Sequence, residues 1–329
     1  MNRQITLRSI PEGMPSEGNF SMEEAPAKDI MEGELWVKPK YLSVDPYMRG
    51  RMSINSNMPP FEIGKPLEGA GIAEIVESRN PEFKTGELVK ANLLWQEFQA
   101  IKAKEVIRIG KYVHSPADYL GILGLTGLAA YFGIQTIGKP VKGETVVISG
   151  AAGAVGSVAG QLAKIKGCYV IGIAGSNDKI RLLKEELHFD EAFNYHNEGW
   201  EKSLVLTAPQ GVDVYFDNVG GEISDAVMRN LNQKARIIIC GQISLYNSNE
   251  IPLGPRVQPI LLEKRDLMQG FTVRNYTDHF EEAIEELAKW LREGKLVSRQ
   301  TIFKGFEKLP EAFIGLSQGK NTGKCIVEV

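Results

Sequence analysis

The sequence predicts an α/β fold with a doubly wound parallel sheet, accompanied by a second, β-rich domain. Three observations carry the prediction. Residues 125–295 alternate apolar strand-like runs with helix-period segments, the pattern of a parallel sheet with crossover helices. Residues 1–124 instead hold short β-type runs divided by glycine and proline, as an antiparallel, barrel-like unit does. Between the strand-like run Glu144–Ser149 and a helical run lies a glycine turn, Gly150-Ala-Ala-Gly153-Ala-Val-Gly156.

In chain order, the β-rich part is expected to use Glu34–Lys38, Gly69–Val76, Leu88–Ala91 and Trp95–Lys102 as strands. The Asn/Ser/Pro-rich run Ser53–Pro60 reads as a loop and a candidate lid. In the α/β part, strands are expected at 144–149, 168–174, 191–194, 213–217, 235–240 and 268–273, and helices at 155–166, 178–187, 221–232 and 278–294. The last helix is the clearest: Phe280, Ile284, Leu287 and Leu291 recur on one face, and Gly294 supplies a stop. After it, Gln300–Phe303 and Lys324–Val329 return to strand character. The tail 296–329 is therefore expected to complete the first domain, leaving 125–295 as the α/β domain.

Composition narrows the class of partner. The chain has 329 residues, 43% of them hydrophobic, and a formal net charge of −3 with both signs mixed along it. That argues against a nucleic-acid groove or a polybasic membrane patch. The three cysteines, Cys168, Cys240 and Cys325, are far apart, and Cys168 and Cys240 fall in expected strands. A disulfide framework is not expected, and a reducing cytoplasm fits. Arg3, Arg8 and Glu12 interrupt the start of the chain, so neither a secretory leader nor a membrane span is expected.

The glycine turn points to a ligand. A dinucleotide fold needs a tight turn after its first strand so that N–H groups at a helix start reach the pyrophosphate. Gly153 and Gly156 take the second and third places of G-x-G-x-x-G, with Ala154 and Val155 between them; Ala151 stands first, beside Gly150. The strand before and the helix and strand after give the motif its context. At the end of the second strand an acid would favour an unphosphorylated ribose. The chain has Gly175-Ser176-Asn177-Asp178-Lys179 there. Gly175 and Ser176 leave room and a hydroxyl, and Lys179 offers a charge for a 2′-phosphate, so NADP(H) is the inferred cofactor. Asp178 reads as the cap of the following helix, and Lys179 has the plainer alternative of a solvated helix residue. Two further loops, Asp217–Gly221 and Cys240–Ser244, are expected on the same sheet edge; Asn218 either touches the cofactor or only shapes its turn.

Read in order, the chain resembles a family. Val44-Asp45-Pro46-Tyr47-Met48-Arg49, Gly124–Phe132, Gly150–Gly156, Asn194-Tyr195, Phe216–Gly221, Cys240-Gly-Gln-Ile-Ser-Leu-Tyr246 and Gly319–Lys324 are similar to segments of the zinc-independent medium-chain dehydrogenase/reductases. Within them the match is to the prostaglandin reductase and leukotriene B4 12-hydroxydehydrogenase group, with its 2-alkenal and curcumin reductases. The resemblance covers essentially the whole chain. It implies a GroES-like catalytic domain around a Rossmann domain, NADPH as cofactor, and a homodimer. Carried over by position, it implies cofactor contacts at Gly153, Ala154, Val155, Gly156, Lys179, Tyr195, Asn218, Cys240, Gly241, Ile243, Ser244, Tyr246, Phe271, Thr272, Val273 and Asn321, beside the Ser176 already read from the end of the second strand. It also places Tyr246 by the substrate carbonyl. Arg274-Asn275-Tyr276 departs from some relatives and leaves the pocket wall, and with it substrate preference, open.

Zinc alcohol dehydrogenases of this architecture need cysteine and histidine ligands around one metal. The corresponding positions here are Ser43-Val44-Asp45 and Leu67-Glu68-Gly69; there is no cysteine before Cys168, and no zinc is expected. A plain carbonyl without a Lewis acid is poorly polarised for hydride attack. A conjugated enone is easier, because hydride adds to the β-carbon and charge spreads to oxygen, which then needs a donor. The cofactor ribose hydroxyl with Tyr246 is the expected donor, with Tyr47 a second candidate; the plainer readings are a packed loop aromatic for Tyr246 and a turn that braces the domain interface for Tyr47 and Arg49. A quinone reductase and a non-catalytic NADPH sensor are the alternatives.

Overall fold

A computed structural model describes residues 2–25, 29–53, 58–110, 114–248, 250 and 252–329. Residues 54–57 of the expected loop Ser53–Pro60 thus lie outside the described residues. Two compact units emerge: Met1–Leu120 with Gln300–Val329, and Gly121–Arg299.

The first unit begins with β1 (Arg3–Leu7) and β2 (Phe20–Glu24), paired antiparallel. Then come β3 (Glu34–Ser43), the helical turn α1 (Tyr47–Arg51), β4 (Glu68–Ser78), β5 (Leu88–Leu94), β6 (Gln99–Lys102) and β7 (Ile107–Arg108). The strand expected over Trp95–Lys102 is shorter than its alternation suggested. The Gln99 side chain accepts from Leu94 N at 2.9 Å and donates to Leu94 O at 3.0 Å. That closes 95–98 into a turn and leaves Trp95 fully buried. In β3, Pro39 lacks an N–H for the ladder, and the pairing with β4 shifts register between Pro39 and Tyr41.

The second unit opens with α2 (Leu125–Phe132) and then alternates strand and helix. Its elements are β8 (Thr145–Ser149), α3 (Gly156–Ile165), β9 (Tyr169–Ala174), α4 (Asn177–Arg181), β10 (Glu191–Asn194), α5 (Trp200–Thr207), β11 (Val212–Asp217), α6 (Gly221–Met228), β12 (Leu231–Ile239), α7 (Gln258–Lys264), β13 (Leu267–Gly270) and α8 (Phe280–Arg292). The sheet order is β10-β9-β8-β11-β12-β13, with every neighbouring pair parallel. The chain winds outward from β8 in one direction and from β11 in the other. The switch point, where ligands of such sheets sit, is therefore between β8 and β11. Strands buried on both faces explain the near-continuous apolar runs: Val146, Val147, Ile148, Val170, Ile171, Ile173, Val214, Tyr215 and Phe216 are all fully buried.

Several boundaries moved. The expected helix 221–232 stops at Met228, because Leu231, Ala235, Ile237 and Ile238 are claimed by the core as β12. The expected strand 268–273 stops at Gly270; Thr272 and Asn275 form a capping box that turns Phe271–Val273 into the entry of a helical turn. Cys168 lies just before β9 and Cys240 just after β12, not inside strands. Helices α5 and α7 escaped the sequence because their apolar stripes are too thin: α5 buries Leu204 alone and α7 buries nothing.

The tail returns to the first unit as β14 (Gln300–Lys304), α9 (Leu309–Ser317) and β15 (Lys324–Glu328). Strand β15 sits between β14, to which it is parallel, and β3, to which it is antiparallel. The sheet order is β14-β15-β3-β4-β5-β7, with β6 also on β3. Its core gathers Ile5, Leu42, Trp95, Phe313 and Val327 from both ends of the chain. No helix of the described residues is long and apolar enough to cross a membrane.

Candidate functional site

Six loops follow the carboxyl ends of the six parallel strands, and they carry all the sequence-predicted residues of the second unit. Gly153, Ala154, Val155 and Gly156 follow β8. Ser176 and Lys179 follow β9, and Tyr195 follows β10. Asn218 follows β11, Cys240, Gly241, Ile243, Ser244 and Tyr246 follow β12, and Phe271, Thr272 and Val273 follow β13.

The turn after β8 is tight because its glycines leave no alternative. Gly150 has φ +59°, in the left-handed region. A Cβ on Gly156 would collide with the carbonyl oxygen of Gly150, and one on Gly153 would lie 3.2 Å from the same atom. Gly153 N donates back to Gly150 O at 3.0 Å and Ser157 N donates to Gly153 O at 3.0 Å, so the chain folds on itself directly before α3. Helix α3 has ten residues, enough for its N-terminus to present a useful positive end.

Beyond β9, Ser176 and not Asp178 is the cap of α4. Its side chain accepts from Lys179 N at 3.3 Å, while Asp178 is exposed and pairs with Arg181 at 3.0 Å. Ser176 wins because its extended backbone, φ −157° and ψ 156°, is the cap conformation. Lys179 is half-buried, and that burial lowers its pKa from the ordinary lysine value. A half-buried ammonium gains from an anionic ligand. Tyr195, just after β10, lies against the bare Gly175 backbone: a Cβ on Gly175 would lie 2.9 Å from its hydroxyl. The helix start, the Ser176 hydroxyl, the Lys179 ammonium and the bare Gly175 backbone form a donor set suited to a dinucleotide carrying an additional phosphate.

The loops after β11 and β12 are tied together by residues the sequence reading passed over. Asp217, the last residue of β11, is 1% exposed. Its Oδ1 accepts from Ser149 Oγ at 2.9 Å, Tyr215 OH at 2.9 Å, Val219 N at 3.0 Å and Gly220 N at 2.9 Å. Its backbone oxygen accepts from Cys240 N at 2.9 Å and Gly241 N at 3.1 Å. Asn218 donates its side-chain amide to Ser149 O at 2.8 Å, so that group shapes the turn. Ser244 Oγ donates to Val219 O at 2.6 Å, and Ile243 N donates to Asn218 O at 3.3 Å. Held this way, the half-exposed Tyr246 ring brings its hydroxyl within 3.7 Å of where a Cβ on Gly241 would be. Burial, with the Asp217 charge adding to it, pushes the Cys240 thiol up to about 12. The signal for Asp217 was present: a carboxylate follows directly on the apolar stretch Val214-Tyr215-Phe216 at the carboxyl end of the expected strand.

Beyond β13, Phe271 and Val273 pack with Phe132, Tyr276 and Phe280, while Thr272 holds Asn275. Tyr47 and Asn321 belong to the first unit. Tyr47 opens α1 and packs against the β-rich core. Asn321 is buried and donates to Gly323 O at 2.8 Å. Around them lie two ion pairs. Lys324, 3% exposed, donates to Asp45 Oδ1 at 2.6 Å and to Val44 O at 2.9 Å, and Ser43 Oγ donates to Asp45 Oδ2. Arg51 meets Glu68 at 2.8 Å. Arg49 is buried and donates to Pro11 O and Gly13 O, bracing the N-terminal loop within this unit. Among the described residues no three His, Cys, Asp or Glu side chains gather as ligands for a metal ion.

Two family models match the chain: an N-terminal domain of oxidoreductase over residues 3–109, and a zinc-binding dehydrogenase model over residues 154–289. An NADPH-dependent curcumin reductase of Escherichia coli (strain K12) is 40% identical over 334 residues, covering 100% of this chain and 97% of the relative. A 2-alkenal reductase (NADP(+)-dependent) of Nicotiana tabacum is 39% identical over 335 residues, covering 100% of this chain and 97% of the relative. The crystal structure of CurA in complex with NADPH from Vibrio vulnificus superposes with a TM-score of 0.94 at 40% identity, covering 99% of each chain. Matched from end to end in sequence and fold, the chain belongs to the zinc-independent medium-chain dehydrogenase/reductases, in the group of the curcumin, 2-alkenal and prostaglandin reductases.

Proposed function

We propose that the chain is an NADPH-dependent reductase of the carbon–carbon double bond in α,β-unsaturated ketones and aldehydes. The observation that carries this is one sheet edge bearing, in order, Lys179 and Ser176, the glycine turn, and the Tyr246 loop. The curcumin and 2-alkenal reductase relatives support the substrate class. When bound, NADPH supplies a hydride for the β-carbon. The chain's own task is to orient the cofactor and to manage charge. Lys179 and the α3 N-terminus hold the phosphates, and the Gly175 and Gly150 backbones allow close approach. As the β-carbon accepts hydride, the enone oxygen becomes an enolate and needs a hydrogen-bond donor. Tyr246 is the candidate donor of the second unit and Tyr47 that of the first. The α-carbon then takes a proton from solvent or a tyrosine-linked water.

The reading needs no metal on the protein's side. Asp45 and Glu68, which stand where zinc relatives carry ligands, each have their charge met by a cation, Lys324 and Arg51 respectively. The dispersed cysteines fit a protein of the cytoplasm, and the family reading makes it a homodimer, which sedimentation of the purified chain tests.

Loss of NADPH absorbance measures the activity directly. We expect turnover with a 2-alkenal and an aryl enone, slower turnover with a simple quinone, and none with NADP+ and a plain alcohol. Tyr246→Phe should lower kcat on the order of tenfold to a thousandfold, the range for loss of one oxyanion donor. Full enone turnover in that variant removes the donor role. Alcohol oxidation without enone reduction overturns the reaction class.

A further inference from the structure

The Asp217 carboxylate is the buried charge that the reaction scheme leaves unused. It ends β11 beside Ser149, which ends β8, and their 2.9 Å hydrogen bond spans the switch point of the sheet. All four of its side-chain hydrogen bonds arrive at Oδ1; Oδ2 accepts none among the described residues, and no cation pairs with it there. Tyr215, one of the donors, is fully buried, and burial followed by the Asp217 charge holds its hydroxyl protonated well above the ordinary range. The site is thus an anion fixed by neutral donors.

The order of strands places this anion along the ligand. Lys179 and Ser176 at the end of β9 take the phosphorylated ribose, and the turn at the end of β8 takes the pyrophosphate. The remaining half of a dinucleotide continues past β8 to its other neighbour, β11, and then to β12. That half is the nicotinamide, which is neutral when reduced and cationic when oxidised. A fixed negative charge in a poorly screened setting favours the cation.

We propose that the Asp217 carboxylate forms an anionic floor beneath the nicotinamide half of the cofactor and biases the site toward the oxidised form, easing hydride departure. The proposal rests on NADP(H) binding at this sheet edge. Asp217 is a positioning and electrostatic residue here; it acts through the crevice without touching substrate.

The test is the ratio of two affinities, measured by calorimetry with NADP+ and NADPH separately. Asp217→Asn keeps an acceptor for the same donors and removes the charge. It should weaken NADP+ relative to NADPH on the order of tenfold. Tyr215→Phe removes a donor that neutralises the carboxylate and should move the ratio the opposite way. Its sign decides the matter even if the asparagine variant does not fold. A merely structural role shifts both affinities together, so an unchanged ratio in the variants overturns the charge role while leaving the site intact. Absence of binding of either form to the unaltered protein overturns the site reading and the inference together.

Discussion

At the scale of single residues, the site depends on what is missing as much as on what is present. Gly156 has no Cβ to strike Gly150 O, and Gly175 leaves space against Tyr195. Lys179 is the opposite case, since its charge is what the proposed site would offer to the ligand. Lys179→Gln should weaken NADPH about tenfold to a hundredfold and leave NADH binding nearly unchanged, which paired titrations measure. The pH dependence has a defined sign. Burial lowers the pKa of Lys179 in the free protein, and an adjacent phosphate draws it back up. Affinity for NADPH, but not for NADH, should therefore fall as pH rises through the lowered value, earlier than an ordinary lysine would cause. Cys240 illustrates a related constraint. Its thiol, raised to about 12, remains protonated beside the site proposed for electrophilic enones, and a thiolate is the form that would react with them.

Among the elements, strand β15 is tied to the connection between β3 and α1 by the Asp45–Lys324 pair, which joins residues 279 positions apart. Both partners are buried. Removing one leaves an uncompensated charge in a poorly solvating interior, at a cost of about 3–5 kcal/mol. Lys324→Met should therefore lower the stability of the first unit by about that amount. The double variant Asp45→Asn with Lys324→Met should recover much of the loss, because no bare charge remains. Urea unfolding of the single and double variants distinguishes this from an ordinary packing defect, for which the second substitution would add to the first.

For the molecule as a whole, the two units differ in how they use the chain. The second is continuous from Gly121 to Arg299, whereas the first needs both ends. Strand β15 lies between β14 and β3, and Phe313 of α9 shares the core with Phe20 and Trp95. A chain ending at Arg299 should lose the cooperative unfolding of the first unit while the second retains dinucleotide binding. Calorimetric scans with and without NADPH measure both. If the shortened chain still unfolds with the full β-sheet transition, the tail is dispensable.

The ordered motifs of the sequence carried the family resemblance, and its local patterns determined the parallel α/β unit, the glycine turn and the residues that follow β9 and β11. These are local in origin: apolar periodicity, backbone freedom at glycine, and the type of residue at the end of a strand. Tertiary structure decided the rest. It ended β13 at Gly270, gave the α4 cap to Ser176, and turned Leu231 from helix to strand, because capping bonds and the demands of the core outweighed local propensity. It also produced the Asp217 network and the Asp45–Lys324 pair, whose partners come from distant parts of the chain. No periodicity reports which donor will face a buried charge, since that depends on where the fold brings remote segments together.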